Sequence, residues 1–200
     1  MCWNASVSLN TYIFGLFASF FSYYNGDSKI LAILFYQSVI IMQLIEYFIW
    51  SKTFSNRLLS QIALLVILLQ PVFNIIKINK KPELIPYLLA GYFVFIIILY
   101  TIVIPLNTIN FSSTRGKNGH LSWNWLNWNI VIFLIWYAFL SSTWIIQEMY
   151  PTLIFVSMLL ITSIILYKNT NTWGSLWCWA CNFMSFYFII KVFYKDFCKI

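Results

Sequence analysis

Charge is what this sequence has least of. Of its 200 residues only 8% are charged, against about a quarter in an average soluble domain. With 62% of residues hydrophobic and 21% aromatic, a fold in water would lack the polar surface to cover itself. Lipid is the solvent such a surface fits. In lipid every backbone N–H and C=O must be paired internally, which leaves helices or a closed barrel. Barrel strands alternate apolar and polar residues over about ten positions, whereas Ile30–Trp50 and Tyr87–Leu106 are long runs without that alternation. Helices are therefore expected. The sequence also lacks a block of basic residues. Its twelve Lys and Arg are scattered, so the net charge of +7 does not point to nucleic acid. They fall almost wholly between the apolar runs, where cations reach headgroups and set orientation. Finally, Met1-Cys2-Trp3-Asn4 has no basic n-region, and no small-residue cleavage site follows the first run. That run is expected to stay as a span.

A helix needs about 20 residues to cross about 30 Å of hydrocarbon. The apolar runs predict seven spans in a single transmembrane domain, residues 1–200: 5–24, 30–50, 58–78, 84–106, 126–146, 151–167 and 174–194. The expected fold is an all-α seven-transmembrane-helix bundle. The sixth run is short, so six spans plus a re-entrant or interfacial segment is the alternative. Asn25-Gly26-Asp27-Ser28 and Asn79-Lys80-Lys81-Pro82 punctuate the runs as turns. The longest loop, 107–125, is expected to be polar and outside the membrane. Seven spans put Lys52, Arg57, Arg115, Lys117 and Lys168 on the N-terminal side. Lys29, Lys77, Lys80, Lys81, Lys191, Lys195 and Lys199 fall on the other. The richer second side predicts an exoplasmic N-terminus and a cytoplasmic C-terminus. The glycosylation acceptor patterns at Asn4 and Asn110 both fall on the proposed outer side.

Polar residues inside spans are expensive, and each is a functional-site hypothesis. Glu46 lies about one turn from the outer end of the second span, with Gln43 three residues before it on the same face. Gln61 and Gln70 lie in the third span. His120, the only histidine, lies in the long loop beside Trp123 and Trp125; Cys178 and Trp177 open the seventh span, and Cys2 is at the N-terminus. Seven spans bring Cys2, Glu46, Gln61, His120 and Cys178 to one leaflet depth. Each has a bland reading too. Glu46 could snorkel or pair with Arg57 or Lys52, and His120 in a polar loop is more often solvated. Trp123, Trp125 and Trp128 suit a membrane interface whatever the function. Gln70-Pro71 suits a kink with the amide bonding a neighbouring helix.

Three functional readings follow. The first is a polar pocket on the N-terminal side that binds a small molecule or lipid, with Gln43, Gln61, Gln70, Trp123 and Trp177 as lining residues. The second is a membrane-embedded thiol or acyl-transfer enzyme with Cys2 or Cys178 as nucleophile, His120 as base and Glu46 as its orienter. The third is a small-solute transporter, which needs polar residues in the inner half; Gln37, Gln70 and Asn74 are the ones there. Cys178 and Cys181 form a Cys-x-x-Cys, but i and i+3 sulfurs in one helix do not readily bond. Lys191 lies too near the inner end for a retinal-type receptor. No ligand pair sits at metal-motif spacing, so no metal and no cofactor is expected. The bilayer is the expected partner, and the sequence carries no mark of oligomeric state.

The Met1-Cys2-Trp3-Asn4-Ala5 start, Gln43 and Glu46 as Gln-x-x-Glu, Gln70-Pro71, Gly119-His120-Leu121-Ser122-Trp123 and Gly174-Ser175-Leu176-Trp177-Cys178 occur in that order. Together they resemble a family of small multi-pass membrane proteins of uncharacterised activity, found in cellular organisms and giant DNA viruses. The resemblance spans nearly the whole chain and implies a helical membrane protein. Asn4, where the family carries a serine, and Cys181 depart from its pattern. The Ile-, Asn-, Lys- and Phe-rich vocabulary also fits an AT-rich, giant virus-like genome.

Overall fold

The structure, a computed structural model, describes residues 4–26, 28–106, 109–126, 129–180 and 182–194. Long apolar runs become helices throughout. The first three are α1 (Ala5–Tyr24), α2 (Ile30–Ser51) and α3 (Asn56–Ile75). A 3-10 turn at Pro82–Leu84 leads into α4 (Ile85–Ile98), which continues through a π-helical turn at Leu99–Val103. Then come α5 (Ile130–Ile146), α6 (Tyr150–Tyr167), α7 (Trp173–Ala180) and α8 (Asn182–Phe193). Six helical stretches are long and apolar enough to cross a membrane: α1, α2, α3, Pro82–Val103, Tyr150–Thr170 and Trp173–Phe193. The remaining one, α5, has 17 residues and reaches about 26 Å at 1.5 Å per residue.

That shortening has a cause. The span expected from residue 126 begins only at Ile130, because Asn124–Leu126 forms a 3-10 turn whose Trp125 and Leu126 plunge into the core. Asn129 then caps the helix, accepting from the Val131 N–H at 2.9 Å. At the other end α3 stops at Ile75, where the expected span ran to 78. The chain there tightens into i to i+3 bonds, from Lys77 N–H to the Asn74 carbonyl and from Ile78 N–H to the Ile75 carbonyl, both 3.1 Å.

Inside α3, Pro71 has no N–H to offer the carbonyl of Ile67, four residues back. Helix α5 supplies the missing donor, with the Trp136 indole N–H 3.2 Å from that carbonyl. The Tyr92 hydroxyl of α4 donates to the next carbonyl, Leu68, at 2.7 Å. The proline thus opens one acceptor, filled by Trp136, and with the Tyr92 bond to Leu68 it lets α3 hold both neighbours. The Gln70 amide donates to the Ser38 carbonyl of α2 at 3.2 Å, the cross-helix bond expected of it.

Helix α1 turns a stripe of small residues inward: Ser8, Thr11, Gly15, Ala18, Ser19 and Ser22. Small residues let membrane helices approach closely, since lipid provides no hydrophobic push between them. The approach is closest at Gly15, where an added Cβ would lie 2.5 Å from Ile40 Cγ1 and 2.7 Å from Tyr36 Oη. Helix α1 packs on both α2 and α8. By contrast α4 and α6 bury few side chains and leave Ile97, Ile102, Ile161 and Ile165 exposed. Faces like these suit lipid.

The loop expected to be polar and external folds onto the bundle end. Strands β1 (Ser113–Arg115) and β2 (Leu121–Trp123) pair antiparallel, Ser113 opposite Trp123. Leu121, Trp123 and Trp125 are buried. The expectation that these tryptophans form an interfacial belt is corrected for Trp123 and Trp125, which stack on each other with centroids 5.2 Å apart. Trp128 lies outside the described residues.

Candidate functional site

Among the described residues, one acidic side chain lies wholly inside the protein: Glu46, with no exposed surface. It does not snorkel, and Lys52 and Arg57, its expected partners, are exposed. Gln43, one turn away on α2, is equally buried. The elements facing them follow from register. The Tyr36 hydroxyl of α2 hydrogen-bonds the Ser185 hydroxyl of α8, and α2 also packs on α7. The α7–α8 stretch runs opposite to α2. Seven residues, about 10 Å of rise, therefore lead from Tyr36 up to Gln43 and from Ser185 back to Cys178. Ten residues lead to Glu46 and to Ser175. Gln43 and Cys178 thus share one level, and Glu46 and Ser175 share the next.

Ser175, Cys178, Asn182 and Ser185 recur at spacings of three and four, so they line one face. Ser175, Cys178 and Ser185 are buried. Ser8 and Thr11 of α1 are buried as well. The hydroxyls of Ser8 and Ser175 and the amide oxygen of Asn182 have no hydrogen-bond partner among the described residues. An unmet buried polar atom costs about 1–3 kcal/mol, so these three atoms mark where the seam between α1, α2 and α7–α8 could take a further hydrogen-bonding group. Ser8, Ser175 and Asn182 were not singled out from the sequence. The signal was present as the polar spacing within the seventh apolar run, visible only if that run is read by face.

The hairpin closes this end. Asn56, in the first turn of α3, grips Ser113 in both directions: its amide donates to the Ser113 carbonyl at 2.7 Å, and its oxygen accepts from the Ser113 N–H at 2.8 Å. The Trp125 indole N–H and the Ser60 hydroxyl both reach the Ser113 hydroxyl, at 3.2 and 3.1 Å. On the far side Asn118 donates to Thr172 at 2.8 Å. His120, expected to be solvated, is 4% exposed and meets the Tyr167 ring edge-on at 5.3 Å. Under the hairpin, Trp123, Leu126, Trp173, Trp177, Cys178 and Gln70 line part of a void of about 10 Å³. That is room for about one water.

The other candidates are dispersed. Gln61 sits on the exposed face of α3, and Asn110 is exposed ahead of the hairpin. Asn4 is exposed and caps α1, accepting from the Val7 N–H at 2.9 Å. Cys2 and Cys181 lie outside the described residues. Glu46, His120 and Cys178 share one end of the bundle on three different elements: α2, the hairpin and α7. At the opposite end the Lys77 amine lies 3.1 Å from Asn74 Oδ1 and 4.5 Å over the Phe35 ring. Nearby, exposed Glu148 pairs with Lys80 at 2.7 Å, which holds its carboxyl below the usual range.

Burial pushes the His120 imidazole below its ordinary value of 6.5. A base with a lowered folded pKa is favoured neutral in the folded state, so acid favours the opened state. Docking of the hairpin is therefore expected to weaken as pH falls below about 6.5. Hydrogen exchange of the hairpin amides at pH 7.5 and 5.5, corrected for intrinsic rates, checks this. Equal protection at both, or the same loss in His120→Asn, would contradict it.

The helical, apolar fold is compatible with a protein that crosses a membrane several times. No family model, no curated protein and no solved structure matches this chain.

Proposed function

We propose that this is a seven-span integral membrane protein, N-terminus exoplasmic, that binds a small polar molecule or lipid headgroup in the seam beneath its hairpin. The observation that carries the reading is Glu46, a carboxylate wholly buried among apolar helices beside Gln43. Ionisable groups at such depth are costly and mark functional sites. The hydroxyls of Ser8 and Ser175 and the oxygen of Asn182, unmet among the described residues, add hydrogen-bonding capacity for a ligand at the same end. The seven-span count rests on α5 spanning despite its 17 residues, with interfacial residues making up the difference. The lysine excess on the opposite side supports the orientation.

Small-molecule pockets usually enclose about 300–1,000 Å³, far more than the 10 Å³ beneath the hairpin. Binding therefore requires the hairpin to lift. The test is native mass spectrometry of the protein released from nanodiscs of phosphatidylcholine and phosphatidylethanolamine. A retained adduct is expected on the wild type and not on Glu46→Gln of equal melting temperature. A bare wild-type protein, or an adduct indifferent to Glu46, sinks the reading.

A further inference from the structure

The two ends of the bundle differ in charge. The exposed carboxylates among the described residues, Glu83 and Glu148, both lie at the end away from the hairpin. At the hairpin end Lys52, Arg57, Arg115, Lys117 and Lys168 are all exposed, and none forms an ion pair among the described residues. Three of the five gather at one joint, where the hairpin tip meets the α6–α7 connection. The Asn118 amide at the tip donates to the Thr172 hydroxyl at 2.8 Å and to the Thr170 hydroxyl at 3.2 Å. Gly116 comes so close that an added Cβ would lie 2.7 Å from Thr172 Cγ2. Lys117 sits between these two contacts. Lys168 stands on the other side of the joint, its carbonyl accepting from the Asn171 N–H at 3.0 Å. The Arg115 guanidinium folds over the tip, 3.9 Å from where a Cβ on Gly119 would stand.

Exposed lysines at a helix end are ordinarily just solvated. Here two cations ride on the hairpin and one stands on the bundle, so closing the joint brings like charges together. The repulsion is modest in water and screened over about 10 Å, but what opposes it at the tip includes two hydrogen bonds from one exposed asparagine. An anion seated between the two sides reverses the sign. Each cation is then drawn to a shared partner, and the hairpin is pulled onto the bundle. Lys168 directly follows Tyr167, the last residue of α6. That puts the joint at headgroup level, where phosphate is the anion at hand.

We infer that the joint formed by Arg115, Lys117 and Lys168 binds a phosphate group, from a lipid headgroup or a soluble phosphate, and that the bound anion latches the hairpin over the bundle end. The Arg115 guanidinium offers a planar fork to two phosphate oxygens, and the two lysines add charge. Neither Glu46 nor any other residue of the seam takes part, so the site stands apart from the seam's ligand. What it controls is the opening of the hairpin.

The test uses the protein in phosphatidylcholine nanodiscs, with and without pyrophosphate at matched ionic strength, and in nanodiscs of phosphatidylcholine mixed with phosphatidylglycerol. Alkylation of Cys178 by an uncharged maleimide, read by mass spectrometry of its peptide, reports hairpin opening. Native mass spectrometry reports the bound anion. At least one anion should slow alkylation several-fold and remain as an adduct. Slowing by phosphatidylglycerol alone assigns the phosphate to a headgroup, and slowing by pyrophosphate alone assigns it to a soluble ligand. Lys117→Gln/Lys168→Gln should lose both the slowing and the adduct. Without anion it should label no faster than wild type, because the repulsion is gone, whereas a merely loosened hairpin would label faster. Lys29→Gln/Lys81→Gln, which removes equal charge from the other end, should behave as wild type. No slowing with either anion overturns the inference. So does slowing that survives Lys117→Gln/Lys168→Gln, or that is lost equally from Lys29→Gln/Lys81→Gln.

Discussion

Replacing Gly15 with leucine is expected to be the most damaging single change in the bundle. A Cβ at this position would lie 2.5 Å from Ile40 Cγ1 and 2.7 Å from Tyr36 Oη, and both neighbours are pinned. Ile40 has no exposed surface. Tyr36 is tied to Ser185 and packs edge-on against Phe188, centroids 5.0 Å apart. Neither can retreat without parting α2 from α8, so α1 must move out as a unit. Overpacking a core ordinarily costs about 1–3 kcal/mol, and the loss here should reach or exceed the top of that range. Thermal unfolding in detergent measures it. Gly15→Ala should be milder but clearly destabilising, while Gly91→Ala serves as the control. There an added Cβ meets Phe139 only at 3.6 Å, an ordinary contact. Equal melting temperatures for the two alanine variants would show that the α1–α2 approach is not as close as described.

Gly174→Val is expected to unseat the hairpin without unfolding the bundle. An added Cβ would lie 2.6 and 2.9 Å from Trp123 ring carbons and 3.0 Å from Leu126 Cδ2. Trp123 cannot swing aside, because it is stacked on Trp125, whose indole is itself bonded to Ser113. The strain therefore passes to the hairpin as a whole. Cys178, one turn along α7 and 1% exposed, lines the void that the hairpin roofs. Its alkylation by a membrane-impermeant maleimide should rise at least tenfold in the variant, read by mass spectrometry of the Cys178 peptide. Asn56→Ala should raise the rate by a smaller factor, since it removes the grip on Ser113 but leaves Trp123 room to stay docked. Unchanged labelling in both variants would show that the hairpin does not control access.

Much of the helical framework could be read from composition and run length. Lipid leaves the backbone no alternative to internal pairing, so an unbroken apolar run of sufficient length is almost bound to be a helix. Depth was also legible. Placing Glu46 and Cys178 at comparable positions from the ends of oppositely directed spans puts them at one end of the bundle. Gln70 was readable as a cross-helix donor because an amide next to a proline in an apolar helix has few other partners. What could not be read was the role of the 107–125 loop. Its Asn, Ser and Gly content resembles solvated chain, yet its polar groups pair within the hairpin and with Asn56 and Thr172, which frees its tryptophans to be buried.

The difference is one of range. The sequence by itself determined that this chain is too apolar to cover itself with polar surface, that it is helical, and that Glu46 and Cys178 lie toward one end of the bundle. Those properties follow from local runs and a constant rise per residue. Only the tertiary structure decided which faces meet. It set Ser8, Gln43, Glu46, Ser175, Cys178 and Asn182 along one seam, turned Gln61 outward, and folded the hairpin over the end. Those outcomes depend on register between segments far apart in the chain, set by Gly15, Gly174 and the Ile67 carbonyl released by Pro71. In lipid no general hydrophobic drive selects among packings, so close approach and specific hydrogen bonds do.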